Sequence, residues 1–299
     1  MKSLWRKGFF ILIIGLLFLT GCSDKYPVLN PVGPAGEREK NLIVLSAVLM
    51  GIVVAVVIAL LAFIVYRYRD KPNNKAAYKP NWDDSKILEV VWWAIPIIII
   101  GVLSFYTVRD TFALTKPPKN SGEPITIEVT SLDWKWMFFY PDQDVATVNY
   151  IDVPAGRPIQ FVLTSDAPIN SFWIPALGGQ EYTMPGMAMR LWLQANEVGT
   201  YTGKGANFSG KHFEDMTFDV NVVKETDFNK WVDKVKDTSH ALTKQEYQKL
   251  AKPGVIGEKS FSSYPKSIFM DTVNKNGGLY MNNDWMMKDM NKSDEMEGK

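Results

Sequence analysis

The chain has 299 residues, a formal net charge of +1 and 46% hydrophobic residues. This length allows one or two domains, and the near-neutral charge gives no indication of binding to nucleic acid or another polyanion. The chain contains one cysteine and two histidines, His212 and His240. A single thiol excludes an intrachain disulfide and any metal site built on two thiolates.

Two apolar segments dominate the first third of the chain. Residues 42–66 carry no charge, and residues 87–108 carry a single acid, Glu89, near their start. A hydrocarbon core of roughly 30 Å needs about 20 helical residues, so each segment is long enough to cross it. A buried core helix is the alternative, but the length of the first segment favours a transmembrane hairpin.

The loop between the two segments indicates their orientation. Short loops that are rich in lysine and arginine stay in the cytoplasm. We therefore predict that the loop, residues 67–86, is cytoplasmic and that everything after residue 108 lies on the extracellular side of the cell membrane. The basic residues of the loop include Arg67, Arg69, Lys71, Lys75 and Lys79.

The N-terminus has the features of a secretory signal. Basic residues precede an apolar run, and the sequence Leu19-Thr20-Gly21-Cys22 follows it. We predict a signal peptide over residues 1–21 and a lipid on Cys22, because the motif resembles the cleavage site of bacterial lipoproteins. An uncleaved third membrane helix with an incidental cysteine is the alternative. Residues 22–41, which contain several prolines and glycines, are predicted to be an extended extracellular linker.

Short runs of alternating apolar and polar residues follow between residues 120 and 224. Turn residues such as Pro154-Ala155-Gly156 separate these runs. This alternation is typical of half-buried strands, and the regular spacing of turns predicts a β-sandwich. The clearest runs are residues 125–129, 159–163, 191–193 and 216–222.

The period of the apolar residues changes to that of a helix after residue 225. We predict a helical extension over residues 225–275, with a capping box at Thr243-x-x-Glu246 that begins its second helix. Residues 276–299 are predicted to be a disordered tail. Its methionines could bind Cu(I) as soft ligands, but a solvated tail is the favoured interpretation. They are Met281, Met286, Met287, Met290 and Met296.

Several motifs occur in a recognisable order along the chain. Glu89-x-x-Trp92-x-x-x-Pro96 comes first, followed by Asp133-Trp134-Lys135-Trp136, the run Asn-Ser-Phe-Trp-Ile-Pro at 170–175, and Gly199-x-Tyr201-x-Gly203. In this order they resemble subunit II of the heme-copper respiratory oxidases. The resemblance implies a membrane-anchored all-β fold. It consists of a transmembrane hairpin, a cupredoxin-like β-sandwich and a C-terminal helical extension.

In the cytochrome c oxidase branch of that family, the sandwich holds a dinuclear copper centre. Two thiolates bridge the coppers, two imidazoles cap them, and a methionine and a backbone carbonyl complete the coordination, as suits copper. Here only the methionine remains, which resembles the quinol oxidase branch, as in the aa-type oxidases of Gram-positive bacteria. The corresponding positions are Asn170, Gly205, Asn207, Ser209, Phe213 and Met216.

The resemblance implies subunit II of a proton-pumping quinol oxidase, which transfers electrons from membrane quinol to oxygen. Heme groups and one copper are then expected in partner subunit I. This chain is expected to bind no metal or redox cofactor and to hold no catalytic residue. Its expected partners are subunit I, smaller membrane subunits, the lipid bilayer and a quinol, for which the lipoprotein signal favours menaquinol. Nucleic acid is not an expected partner.

Glu89 is the candidate residue for proton entry. A carboxylate at the membrane boundary is costly unless it has a function or a partner. By resemblance, a glutamate at this place lies at the cytoplasmic mouth of a proton channel. The alternative is an acid at a helix end that reaches the interface beside Lys86.

Trp134 and Trp136 correspond to the aromatic stretch that passes electrons from copper to heme in the cytochrome c oxidase branch. Without copper that role lapses, so we predict that both pack against subunit I, with an electron relay as the alternative. Two other functions stay open, a copper-containing cytochrome c oxidase subunit and a lipid-anchored cupredoxin-like protein for copper delivery or binding. A hydrolase is disfavoured, because neither histidine lies in a recognisable nucleophile motif.

Overall fold

The computed structural model describes residues 26–72, 74, 76, 81–118 and 122–278. The predicted signal peptide, the predicted lipidation site Cys22 and residues 279–299 of the predicted tail lie outside these residues. The chain divides into two compact units, residues 38–115 and the remainder. The first unit holds most of the two long helices, and the second holds the sandwich and its extension.

Two long apolar helices form the N-terminal part of the described chain. Helix α1 spans Pro34–Tyr68 and helix α2 spans Lys86–Leu114, and both are long and apolar enough to cross a membrane. The predicted pair of apolar helices is therefore confirmed, although each helix extends beyond the segments at 42–66 and 87–108.

Helix α1 begins well before the apolar segment, so the prediction of an extended linker over residues 22–41 is wrong at its C-terminal end. A short 3₁₀ helix, Pro27–Leu29, also precedes α1. Pro34 is the first helical residue, where a missing N–H group costs nothing. Glu37 lies in the first turn, where the positive end of the helix dipole favours an acid.

Eleven strands form two packed sheets in the part of the chain that the structure describes, which confirms the predicted β-sandwich. One sheet has the order β11-β3-β2-β1-β5-β8 and the other the order β4-β10-β9-β6-β7. The pairs β1/β5 and β4/β10 are parallel. The strands are β1 Ile125–Leu132, β2 Lys135–Tyr140, β3 Val145–Val148, β4 Tyr150–Pro154, β5 Pro158–Ser165, β6 Asn170–Ile174, β7 Gly178–Thr183, β8 Met189–Gln194, β9 Gly199–Gly205, β10 Thr217–Val223 and β11 Lys259–Phe261.

Aromatic rings fill the space between the two sheets. Trp136 and Phe138 of β2 meet Phe172 of β6 and Phe218 of β10. The rings of Phe172 and Phe218 stack, with centroids 5.2 Å apart and planes within 12° of each other. Each of these four side chains is essentially excluded from solvent. Burial of such rings contributes strongly to stability, because each removes a large apolar area from water.

The C-terminal extension is not purely helical, which corrects the prediction for residues 225–275. It contains helices α3 Glu225–Thr238, α4 Lys244–Leu250 and α5 Ile268–Lys275, with strand β11 between the last two. Strand β11 pairs with β3 and so adds an edge strand to the larger sheet. An uncovered sheet edge exposes unpaired backbone groups, and β11 satisfies those of β3.

The extension also covers the outer face of that sheet. Met137 and Phe139 of β2 lie on the face opposite Trp136 and Phe138, yet they are equally buried. Both faces of β2 are therefore apolar, and the strand shows no alternation of exposure. The buried residues of this second core include Leu242, Tyr247, Leu250, Phe261, Tyr264 and Ile268.

Two polar contacts fix helix α4 of the extension. Thr243 Oγ1 accepts the N–H of Glu246 at 3.1 Å, as the predicted capping box requires, but the Glu246 carboxylate bonds to His240 instead of closing the box. The buried ammonium of Lys135 donates to the carbonyl of Lys252 at 2.7 Å, just beyond the end of α4. Burial lowers the pKa of Lys135, and the negative charge of Asp133 partly opposes this shift.

Glu128 of β1 is partly buried among residues of the sandwich and the extension. Burial raises the pKa of its carboxyl to about 7, and the positive charge of Lys266 partly opposes the shift. Because the pKa is higher in the folded state, the contribution of Glu128 to stability is fully present below its unfolded-state pKa. That contribution is lost as the pH rises through the folded-state pKa.

We expect the Glu128→Gln variant to gain stability relative to the wild type as the pH is raised from about 5 to about 8. The neutral amide cannot ionise, so it escapes the cost of a buried negative charge. The measurement is the difference in Tm between the two full-length proteins in detergent, followed across this pH range. A difference that stays constant with pH would contradict the assignment of a raised pKa to Glu128.

Candidate functional site

Three of the positions that correspond to copper ligands meet at one end of the sandwich. Asn170 begins β6, Gly205 ends β9, and Met216 directly precedes β10. The side-chain nitrogen of Asn170 donates to the sulfur of Met216 at 2.8 Å, and both side chains are buried. A Cβ atom at Gly205 would lie 2.9 Å from Asn170 Oδ1 and 3.5 Å from the Met216 sulfur. The fold therefore packs these three positions into one group, which we call the ligand-position cluster.

The other three positions lie in the loop between β9 and β10. Ser209 is at the edge of the cluster, with its hydroxyl 4.0 Å from the Met216 sulfur. Asn207 instead donates to the carbonyl of Ile169 at 3.0 Å. Phe213 packs on the ring of Phe208, which is 77% exposed. The structure thus brings Ser209 near the cluster and engages Asn207 and Phe213 elsewhere.

The donor atoms of this cluster do not suit a dinuclear copper centre. Met216 offers one thioether, and that sulfur already accepts a hydrogen bond from Asn170. His212 places Nδ1 2.9 Å from the carboxylate of Asp215. Within the residues that the structure describes, no group of three or more His, Cys, Asp or Glu side chains is placed to hold a metal ion. Copper electron-transfer sites use thiolate and imidazole together, and the cluster supplies neither.

Trp134 supports the loop that carries these positions. Its backbone φ is 61°, at the tight turn between β1 and β2. The indole nitrogen donates to the carbonyl of Ser209 at 3.1 Å, and the ring meets His212 edge-on at 5.0 Å. A bulky residue keeps a positive φ only where its surroundings fix it. The ring is half-buried, and its contact with subunit I stays a prediction.

The structure corrects the prediction that Trp136 packs against subunit I. Trp136 has no exposed surface, and its ring contacts Phe172 and Phe218 inside the sandwich. Its indole nitrogen donates to the carbonyl of Met216 at 3.3 Å. The turn at residues 133–134 separates the two tryptophans, because Trp134 belongs to the turn whereas Trp136 is an inward position of β2. Trp136 therefore anchors the ligand-position cluster to the core.

Glu89 lies in the first turn of α2, and its side chain is exposed. The positive end of the helix dipole favours a carboxylate there. Lys86 lies three residues earlier, on the same side of the helix, as the alternative interpretation requires. The geometry is compatible with both proton entry and a helix-end acid at the interface.

Asp110 is a charged residue that the sequence analysis missed. Its side chain is 3% exposed and accepts from Arg109 at 2.9 Å and from Arg38 at 3.2 Å. Since Arg38 belongs to α1 and Asp110 to α2, this ion pair joins the two long helices. A buried carboxylate is tolerated only when it is paired in this way. The sequence does contain a signal for this buried ion pair, because Arg109-Asp110 directly follows the apolar segment that ends at residue 108.

Comparisons with known proteins agree with this architecture. The family model described as "Cytochrome C oxidase subunit II, periplasmic domain" matches residues 143–226. Quinol oxidase subunit 2 of Bacillus cereus is 44% identical over 275 residues, which cover 89% of this chain and 94% of that relative. Quinol oxidase subunit 2 of Bacillus subtilis is 45% identical over 260 residues, which cover 85% and 81% of the two chains.

A solved structure is also similar to part of the chain. It is the crystal structure of the periplasmic domain of subunit II of cytochrome oxidase (CoxB) from Bradyrhizobium japonicum. The sequence identity is 25% and the TM-score is 0.38, and the match covers 41% of this chain and 98% of that domain.

Two apolar helices followed by a β-sandwich define a membrane-anchored protein with a large outer domain of the cupredoxin-like, periplasmic type. The identity to full-length relatives is high enough to assign the family. The chain belongs to the subunit II family of the heme-copper quinol oxidases. It is therefore a component of a quinol oxidase complex that contains other oxidase subunits, and the predicted family is confirmed.

Proposed function

We propose that this chain is the subunit II of a proton-pumping quinol oxidase and that it carries no copper centre of its own. The observation that supports this most directly is the hydrogen bond from Asn170 to the sulfur of Met216, the one soft ligand left in the ligand-position cluster. The same residues argue against the two rival functions. A copper-containing cytochrome c oxidase subunit and a copper-delivery protein both need ligands that the cluster does not supply.

In this proposal, electrons reach the oxidase from a quinol in the membrane, for which menaquinol is our candidate. Quinols are lipid-soluble two-electron donors, so no electron relay through the outer domain is needed. Heme groups and one copper belong to subunit I. This chain contributes the outer domain that packs with its partner subunits and a carboxylate, Glu89, at the cytoplasmic end of α2.

Metal analysis of the full-length chain tests the absence of a copper centre. The purified chain is exposed to Cu(I) and Cu(II) together, freed of unbound metal and excess reductant, and examined by elemental analysis and near-infrared absorption. We expect no retained copper and no mixed-valence band, and the Met216→Leu variant should behave identically. A stoichiometric pair of coppers that the wild type binds and Met216→Leu loses would overturn the proposal.

We propose that Glu89 gathers protons on the cytoplasmic side and passes them to subunit I. Two features support this role. Glu89 lies in the first turn of an apolar helix, and it is the single acid in the predicted segment 87–108. A carboxylate can exchange protons with water and hand them on, whereas an amide of the same shape cannot.

We expect Glu89→Gln to lower the turnover of the intact oxidase roughly tenfold, equivalent to about 1.4 kcal/mol in the barrier, because proton delivery becomes limiting. Oxygen uptake at saturating quinol measures this effect. Glu89→Asp should retain most of the activity, since it keeps a carboxylate. Asp84→Asn, which neutralises an exposed acid just before α2, is the matched control and should be near wild type. Full turnover and normal heme reduction in Glu89→Gln would contradict proton entry.

We also propose that Cys22 carries a lipid and becomes the mature N-terminus. The support is the motif Leu19-Thr20-Gly21-Cys22 and the outward orientation that the hairpin predicts for this end. A lipid together with a membrane hairpin would provide two anchors, so that release from the membrane is disfavoured. Mass spectrometry of the purified chain should find a diacylated N-terminal cysteine, and an intact Met1 terminus would contradict this.

A further inference from the structure

The segment at residues 26–37, which we call the N-terminal strap, is hydrogen-bonded to the sandwich. The N–H of Val32 donates to the carbonyl of Ala176 at 2.8 Å, and that of Gly36 donates to the carbonyl of Leu177 at 2.9 Å. In the opposite direction, the N–H of Asn196 donates to the carbonyl of Val32 at 2.8 Å. The strap is thus joined to two separate loops, one after β6 and one after β8.

Glycines bring the strap and the sandwich together backbone to backbone. From the strap side, a Cβ at Gly36 would lie 3.2 Å from the backbone of Leu177, and it would also lie 2.6 Å from Cβ of Pro31 within the strap. From the other side, a Cβ at Gly178 would lie 2.6 Å from Cα of Gly36, and one at Gly33 would overlap the carbonyl of Gln194. Gly33 and Gly36 are buried, as is Leu177 beneath them. Because the opposing atoms are backbone or a proline ring, the contact cannot adapt to an added methyl group.

These contacts show that the strap is part of the folded outer domain and not a free tether. Gly36 is also the third residue of α1, the helix that continues into the apolar segment. The start of the first long helix is therefore packed into the sandwich through its own first turn. A segment held by three hydrogen bonds and close packing loses the freedom that a flexible linker keeps.

We propose that the N-terminal strap is a clamp that holds the beginning of the membrane anchor on the outer domain and that the oxidase needs it to assemble. The proposal relies on the family assignment but not on the absence of copper or on the role of Glu89. A segment that is disordered before association must be ordered when the complex forms, whereas the strap is already ordered on the outer domain and does not add that entropy cost. Release of the strap should therefore weaken the association of this chain with its partner subunits.

Two variants attack the contact from opposite sides, and each has a matched control. Gly36→Ala adds a methyl group in the strap, and Gly51→Ala makes the same change in the same helix where nothing lies within 4 Å. Gly178→Ala adds a methyl group on the sandwich side at a φ of +83°, and Gly156→Ala does so at a φ of +80° in open space. Gly178→Ala and Gly156→Ala therefore share the strain of a positive φ, and they differ in that only Gly178 contacts the strap.

The readouts are hydrogen exchange of the peptide covering residues 26–37 and the yield of assembled oxidase that co-purifies with this chain. We expect exchange in Gly36→Ala and Gly178→Ala to rise roughly tenfold over their controls, with a several-fold loss of assembled complex. Unchanged exchange in both variants would overturn the clamp. Faster exchange with wild-type assembly and turnover would also overturn it, because the strap would then be structural but not needed by the complex.

Discussion

Gly203→Ala is expected to destabilise the outer domain severely. Gly203 faces inward from β9, and a Cβ there would overlap the ring of Phe218, with Cε1 only 2.6 Å away. Phe218 cannot move aside, because Phe172 stacks on it at 5.2 Å and Phe138 lies at 5.1 Å on another side. Overpacking of a core costs about 1–3 kcal/mol and occasionally more. With a rigid ring on a packed neighbour we expect about 3 kcal/mol or more.

The measurement for this variant is the denaturant midpoint of the full-length chain in detergent, monitored by protease resistance of the outer domain. The matched control is Gly257→Ala in the extension, where an added Cβ meets nothing within 4 Å and which should stay near the wild-type midpoint. A Gly203→Ala protein with the wild-type midpoint would show that β9 and β10 are farther apart than the structure has them. Packing against Phe218 thus explains why the second glycine of the Gly199-x-Tyr201-x-Gly203 motif has no side chain.

Trp136→Ala is expected to destabilise the outer domain by about 3–5 kcal/mol, the usual cost of removing a large ring from a core. The ring is fully buried against Phe172 and Phe218, and its N–H group bonds to the carbonyl of Met216. Trp136→Phe should lose far less stability than Trp136→Ala, because it keeps an aromatic ring and loses only one hydrogen bond worth about 1 kcal/mol.

The comparison with Trp134→Ala separates a core role from an interface role. Trp134 is half-buried at the turn, so its removal should cost the isolated chain less stability. Denaturant midpoints of both variants are measured on the free chain, and co-purification with subunit I is measured on the complex. If Trp136→Ala left the midpoint unchanged but abolished association with subunit I, Trp136 would be an interface residue after all.

The fold was largely predictable, because its signals are local. Uncharged runs near residues 42–66 and 87–108 gave the two helices, and alternation at 216–222 gave β10 within one residue of Thr217–Val223. The helical period also predicted an apolar face of α3 at Phe228, Trp231, Val232 and Val235, of which all but the half-buried Trp231 are buried. Helix starts were less accurate, because residues 34–41 belong to α1 although small and charged residues prevail there.

The features that sequence analysis missed depend on contacts between distant parts of the chain. The burial of Trp136 depends on rings contributed by β6 and β10. Alternation along a strand assigns residues 134 and 136 to the same face, and it fails here because Trp134 belongs to a turn. Strand β11 forms because β3 offers an open edge, which no pattern near residues 259–261 indicates. The strap depends on Gly178, more than a hundred residues away, so a stretch rich in proline and glycine was interpreted as a linker.

The candidate site was predictable as a set of positions but not as a structure. The resemblance to the oxidase family identified the positions Asn170 and Met216, but no pattern in the sequence indicates that their side chains bond to each other at 2.8 Å. Nor did it show that Asn170 Oδ1 lies where a side chain at Gly205 would begin. Because the members of the ligand-position cluster are packed on each other, the side chain introduced by Gly205→Cys would meet Asn170.

The most direct test of the account is oxygen uptake by the purified intact oxidase with two electron donors, supplied separately. The account predicts rapid uptake with a reduced menaquinol analogue and no significant uptake with reduced cytochrome c, because we propose that the outer domain carries no copper centre to accept electrons from a soluble protein. Rapid, saturable oxidation of cytochrome c without quinol would contradict it.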